Sequence, residues 1–356
     1  MVGRHPPLQA GWIDRPHRRF ELGDLPLESG ETLHEAFVTY VVHGDEARLR
    51  DAPVLLATAI GSTHHRLDFL IGESRAFDPA RRCIVVVDAI GNGLSSSPSN
   101  SRSQPGAEFP RIAIRDMVES QRRLLDGLGI ERLAAVAGAS MGGMQALQWA
   151  VSHPRRMDRV VAMTPMARTS RWSQLVNEMS RRALFADTAC RVPRPRVDAM
   201  RLWLPLTQLV MTRTPAALDA AFDTLEAMRE WLAEAELRAA EEGPDPFDWL
   251  CQTRAYDAHD VGGPGPARVD PDATDGSLAD MAQATDRALA GIAAEVLVLA
   301  PSLDLYNPAD AAQRLARVIP RARFVQLPGN EGHRSASGTG AAPTAVLQDA
   351  IRAFLG

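Results

Sequence analysis

Residues 133–147 constrain this chain more than any other stretch. Leu133-Ala134-Ala135-Val136-Ala137 is an apolar run of strand character that ends in Gly138-Ala139-Ser140-Met141-Gly142. The chain then enters Gln145-Ala146-Leu147-Gln148-Trp149-Ala150, which has helical character. Strand, tight turn and helix in that order describe a nucleophile elbow. Small residues beside Ser140 let the backbone take a strained conformation, so the hydroxyl stands clear of a sheet at the start of a helix. A bare GxSxG pattern is common by chance, and the flanking elements separate this one from a glycine-rich turn with an incidental serine.

The remaining elements fit around that turn. Residues 20–24 and 36–42 have the pattern of two strands joined by a turn at Gly30, an antiparallel opening to a sheet. Residues 53–60 and 83–88 are nearly continuous apolar runs, as expected of strands buried on both faces of a parallel sheet. Apolar positions at helical spacing follow over 112–128, then the elbow, then a strand at 159–163. Sheet character returns at 295–300 and 323–327, each followed by a helical pattern, 308–318 and 343–354. The fold class is therefore α/β, a mostly parallel, doubly wound sheet.

Between the two sheet regions strand signals vanish. Helical segments at 173–186, 197–211, 216–241 and 246–256 precede a loop at Gly262-Gly263-Pro264-Gly265-Pro266. This divides the chain into an N-terminal extension over 1–19, a sheet domain over 20–165 and 291–356, and a helical cap over 166–290. Insertions of that kind commonly shape a substrate cavity. Residues 1–19, rich in Pro, Arg and His, are expected to lie loosely on the surface.

Composition excludes several function classes. With 45% apolar and 23% charged residues, the 356-residue chain can bury a full core. No window has the uninterrupted apolar length of a membrane span. The net charge is −5 with arginines scattered among the acids, which disfavours nucleic acid as a partner. Cys83, Cys190 and Cys251 are far apart and lack metal-ligand spacing, so they are expected to be reduced thiols, with no metal site. With no apolar stretch behind the charge of Met1-Val2-Gly3-Arg4, a cytoplasmic location is expected.

A serine hydroxyl is a poor nucleophile near neutral pH and needs a base, itself oriented by a third group. In sheets built around this elbow, an acid and then a histidine follow the serine, each just after a late strand. Asp304 lies four residues beyond the strand at 296–300, and His333 lies beyond the strand at 323–327. The rival acid Asp310 falls in the first turn of the next helix, where the helix dipole explains it. An oxyanion needs two backbone N–H donors, assigned to Met141 and to Ile60 in the loop after residues 53–60. For His64 and His65, nearby in sequence, a structural role and a place on the cavity wall are both open.

Taken together these residues resemble the homoserine O-acetyltransferase family of α/β-hydrolase-fold enzymes. The similarity is carried by residues 27–33, Gly91-Asn92-Gly93 with 95–99, Phe109-Pro110, 114–118, 138–149, Asn177-Glu178 with Arg181, Asp304-Leu305-Tyr306 and Gly332-His333. The string Ser140-Met141-Gly142-Gly143-Met144-Gln145 is its most specific part. The resemblance implies acylation of Ser140 by acetyl-CoA, passage of the acetyl group to an alcohol with His333 as base, no bound cofactor, and a homodimer formed through the caps. Members that use homoserine carry an acid directly after the histidine to hold the substrate ammonium; here that residue is Arg334. The family's cap arginine for the substrate carboxylate has its best counterpart in Arg201, with Gln208 near a family tyrosine. The expectation is an O-acyltransferase acting from an acyl-CoA on a small alcohol other than homoserine. The alternative is a carboxylic ester hydrolase, in which water is the acceptor. A non-catalytic binding protein on the same scaffold is disfavoured by the filled triad positions.

Overall fold

A computed structural model of the protein describes residues 5–185, 197–263 and 278–356. Eight strands form one sheet: β1 (Arg18–Pro26), β2 (Thr32–His43), β3 (Val54–Ala57), β4 (Ile84–Val87), β5 (Leu133–Ala139), β6 (Met157–Met163), β7 (Glu295–Pro301) and β8 (Ala322–Leu327). Their order is β1-β2-β4-β3-β5-β6-β7-β8. The pairs β1/β2 and β2/β4 are antiparallel and the others parallel. Every residue of β3, β4 and β5 is buried, which explains their unbroken apolar runs.

Helices cover both faces. Helices α1 (Ile114–Gly127) and α2 (Met141–Ser152) pack one face in a cluster that includes Met117, Leu124, Leu147 and Trp149. On the other face Leu67 and Leu70 of the turn at 64–70 meet Leu347, Ile351 and Phe354 near the C-terminus. Each such fully buried apolar side chain contributes about 1.5–3 kcal/mol.

The cap stands between β6 and β7. It comprises α3 (Arg171–Leu184), α4 (Val197–Leu204), α5 (Pro215–Ala221), α6 (Leu225–Glu242), α7 (Pro246–Asp257) and α8 (Leu278–Ala290). The sheet domain ends with α9 (Ala309–Val318) and α10 (Ala341–Leu355).

The cap departs from the sequence pattern in three places. The segment at 197–211 is α-helical only to Leu204 and continues as a wider π-helical turn over Pro205–Val210, because Pro205 supplies no N–H to the α ladder. The segment at 216–241 is two helices, since Phe222 is extended and Thr224 caps a new start through Ala227 N–H. Helix α8 lies beyond the helical segments that the sequence pattern marks in the cap. Cys190 and residues 264–266 of the Gly/Pro loop lie outside the described residues, while Cys83 and Cys251 are free thiols.

Within the described part of the N-terminal extension, residues 12–17 are also not loose. Trp12 stacks on His65 with ring centroids 4.2 Å apart, Ile13 N–H donates to Asp68 at 2.8 Å, and His17 meets Asp88 at 2.9 Å. Three aromatic rings and two buried carboxylates offset the entropy of ordering this segment. Among the described residues, no helix is long and apolar enough to cross a membrane.

Candidate active site

Ser140 is buried between β5 and α2 with φ 57° and ψ −120°. A non-glycine residue holds that left-handed φ only where its surroundings impose it. Here the neighbouring glycines permit the tight passage. A Cβ on Gly138 would sit 2.3 Å from the Gly142 backbone, and one on Gly142 would sit 2.3 Å from the Ala57 carbonyl oxygen. The Ser140 N–H donates to Met163 O at 2.9 Å, tying the turn to β6.

The acid and base arrive from the ends of β7 and β8. Asp304 Oδ1 accepts the N–H groups of Tyr306 and Asn307, each at 2.8 Å, which fixes the carboxylate from its own loop. Its Oδ2 accepts from His333 Nδ1 at 2.8 Å. His333 Nε2 lies 2.9 Å from Ser140 Oγ. With Nδ1 protonated toward Asp304, Nε2 accepts the serine hydroxyl, which is the tautomer a general base needs. The three side chains are brought together as the sequence pattern predicts, and Asp310 is exposed in the first turn of α9.

Met141 opens α2, so its N–H has no acceptor within the helix. Ile60 lies in the loop after β3, and Ala57 at the end of that strand pairs with Gly138 at the end of β5. Both candidate oxyanion donors therefore flank the elbow, and Ile60 lines the cavity.

That cavity has a volume of about 750 Å³ and reaches Ser140 and His333 from beneath the cap. Trp203, Leu204, Trp231 and Trp249 give it an apolar roof, with Trp203 and Trp249 edge to face at 5.0 Å. Its charges are all positive: Arg66, Arg238 and Arg334 line it, and no carboxylate does among the described residues. Burial, with Arg334 next, pushes the Arg66 guanidinium down to about 10, and Arg66 Nη2 donates to Ser337 Oγ at 2.9 Å. Burial and then Arg213 also lower Arg334.

Arg334 thus faces the cavity. Arg201 does not line it; its side chain is exposed on α4 and approaches Glu236 at 3.6 Å, so the expected place beside the substrate is not where the helix puts it. Gln208 does reach the wall.

The triad also has neighbours that the sequence pattern does not mark as site residues. Tyr306 packs its ring edge-on against His333, with centroids 5.1 Å apart, and donates its hydroxyl to Asn177 Oδ1 at 2.7 Å. Asn177 Nδ2 and Arg181 Nη1 both reach Asp257, each at 2.7 Å. The spacing of Asn177 and Arg181, four apart on one helix face, is the signal that could have pointed to this network. It joins α3 and α7 of the cap to the Asp304 loop. Arg66 and Arg238 carried no signal, because they come from distant elements and converge only in the fold.

Comparison with known proteins agrees with this fold. A family model described as the alpha/beta hydrolase fold matches residues 53–334. The ethyl acetate hydrolase of Pseudomonas veronii is 30% identical over 350 residues, covering 94% of this chain and 95% of that protein. The homoserine O-acetyltransferase of Nostoc punctiforme is 30% identical over 325 residues, covering 86% and 88%. Among solved structures, the acetyl esterase MekB superposes with a TM-score of 0.82 at 28% identity, over 96% of each chain.

Proposed function

Because the chain belongs to the α/β-hydrolase fold family, we propose that it is a serine ester hydrolase for short acyl esters, working through an acyl-Ser140 intermediate. His333 Nε2 takes the proton of Ser140 Oγ as that oxygen attacks the ester carbonyl. The N–H groups of Met141 and Ile60 receive the oxyanion. The alcohol leaves with the proton from His333. Water then gives a proton to the same nitrogen, attacks the acyl carbon and frees the acid and Ser140 Oγ. Asp304 holds the imidazole in its working tautomer and balances its charge.

One observation carries the choice of acceptor. The cavity presents three guanidinium groups and no carboxylate among its described lining residues. An amino alcohol such as homoserine would bring an ammonium group into a positive, partly desolvated site, where no partner offsets the loss of its hydration. Water meets no such obstacle, nor does an uncharged or anionic ester. The likeness to an ethyl acetate hydrolase along nearly the full chain supports the same reading.

A second reading is acyl transfer from acetyl-CoA, as co-substrate, to a neutral or anionic alcohol. The likeness to a homoserine O-acetyltransferase favours it. Both share the acyl-serine step and differ only in what enters second. The exposed apolar stripe of Trp172, Leu175 and Met179 on α3 supports a homodimer through the cap, which sedimentation would check.

A paired assay separates these readings. The purified chain is given p-nitrophenyl acetate and ethyl acetate, and separately acetyl-CoA with a panel of alcohols that includes homoserine. Acetate release without O-acetylhomoserine is expected. Rapid homoserine acetylation would overturn the argument from cavity charge, and CoA release that depends on a different alcohol would establish the second reading.

A further inference from the structure

Away from the triad, three imidazoles converge where the N-terminal segment meets the loop after β3. His5 Nε2 lies 3.3 Å from His64 Nε2 and 3.1 Å from His65 Nε2. One ring nitrogen from each of the three lies within 4.8 Å of the other two. His64 and His65 are buried, while His5 stays partly open to solvent.

The partners of the opposite ring nitrogens decide what these atoms can be. His5 Nδ1 is 2.7 Å from Pro6 O, His64 Nδ1 is 3.0 Å from Asp88 Oδ2, and His65 Nδ1 is 2.7 Å from Asp68 Oδ2. A carbonyl or carboxylate oxygen only accepts, so each Nδ1 carries the hydrogen. The bare Nε2 lone pairs of His64 and His65 then both face that of His5. Lone pairs held about 3 Å apart repel one another unless a cation lies between them.

We infer that His5, His64 and His65 bind a divalent first-row transition metal ion of the Zn2+ type through their three Nε2 atoms. Zn–N bonds of about 2.0–2.1 Å at tetrahedral angles place ligand nitrogens about 3.3 Å apart, which matches the spacing around His5. Imidazoles that each donate the other N–H to a carboxylate or carbonyl are the usual support for such an ion. Asp88 and Asp68 are themselves fixed: Asp88 also accepts from the His64 N–H at 2.8 Å and Thr39 Oγ1 at 3.0 Å, and Asp68 accepts from Ile13 N–H. Two ligands are adjacent in sequence while the third lies 59 positions before His64, so no local spacing announces the set.

The ion's work is architectural. It pins residues 5–17 onto the turn that holds Arg66, and Gln9 and Arg66 both line the catalytic cavity.

The untagged full chain, stripped with a chelator, would be titrated with Co2+ and then Zn2+. One Co2+ per chain is expected, with the intense visible absorption of a low-symmetry, nitrogen-ligated ion, displaced by Zn2+. His5→Ala removes a ligand at the edge of the fold; it should abolish that absorption while keeping the native circular dichroism. Asp68→Asn should weaken binding about 10–100-fold. The exposed His34→Ala should bind as wild type does. Zn2+ should raise the Tm of wild type and not of His5→Ala. Absence of Co2+ binding by the wild-type chain, or equal binding by wild type and His5→Ala, would overturn the inference.

Discussion

The sheet ends and the cap contribute to one cavity in different ways. At the sheet ends the reacting atoms are held by backbone: Ser140 by its turn and by Met163 O, Asp304 by two N–H groups of its own loop, and the Met141 N–H by the start of α2. In the cap the cavity wall is made of side chains, mostly tryptophans and other apolar groups with Arg238, projecting from helices. A backbone-held site tolerates little change and fixes the reaction. A side-chain wall can be exchanged residue by residue and sets what enters. The difference suggests that the acyl-serine step belongs to the sheet and the choice of substrate to the surface lining the cavity.

Changes at the sheet ends should cost most. Ser140→Ala is expected to lower ester turnover by about four to six orders of magnitude, and His333→Ala by a similar factor, because triad members act as a unit. Steady-state kinetics on p-nitrophenyl acetate would check both. A mild loss in His333→Ala would assign the base to another group and break the contrast between sheet and cap.

Next in size is the elbow packing. Gly138→Ala puts a methyl against the Gly142 backbone, which cannot step aside as a side chain could. A loss of about 1–3 kcal/mol or more is expected in denaturant unfolding. A variant as stable as wild type would mean that the turn has room.

A smaller effect is expected at the cavity wall. Arg334→Glu should leave ester hydrolysis within about tenfold and raise kcat/KM for ammonium-bearing acceptors by at least about tenfold, the scale of one close charge pair. If the variant loses all hydrolysis while still folded, Arg334 serves the reaction and the division of labour fails.

The smallest effect concerns the seam between the two regions. Asp248, in the first turn of α7, accepts from Ser99 N–H at 2.9 Å and Ser99 Oγ at 2.6 Å. Burial, with Asp245 next, pushes its carboxyl up to about 7. The folded value lies above the unfolded one, so its contribution to stability is complete below about pH 4 and is lost as pH rises through about 7. Thermal unfolding across that window should show a fall in Tm of a few degrees that Asp248→Asn reduces. An unchanged slope in the variant would remove this carboxyl from the seam.

The same contrast governs what the sequence reveals. Ser140 is legible because strand, turn and helix are contiguous, and Asp304 and His333 because each follows a buried strand whose apolar run marks its place. The cap is harder to read, since helical periodicity does not tell which face meets the cavity. Arg201 therefore points toward Glu236, and the break at Phe222 hides within a continuous helical pattern. Arg66 and Arg238, like His5 with His64 and His65, meet only through the folded chain. Arg334 is the exception on the wall, because it is adjacent to a triad residue and inherits its position.

Intact-protein mass spectrometry after rapid mixing with p-nitrophenyl acetate tests the acyl-serine step most directly. A transient single acetyl adduct on the peptide carrying Ser140 is expected, decaying to free acetate at the steady-state rate in water and no faster with homoserine. Turnover with no adduct at Ser140, or a label on another residue, would contradict it.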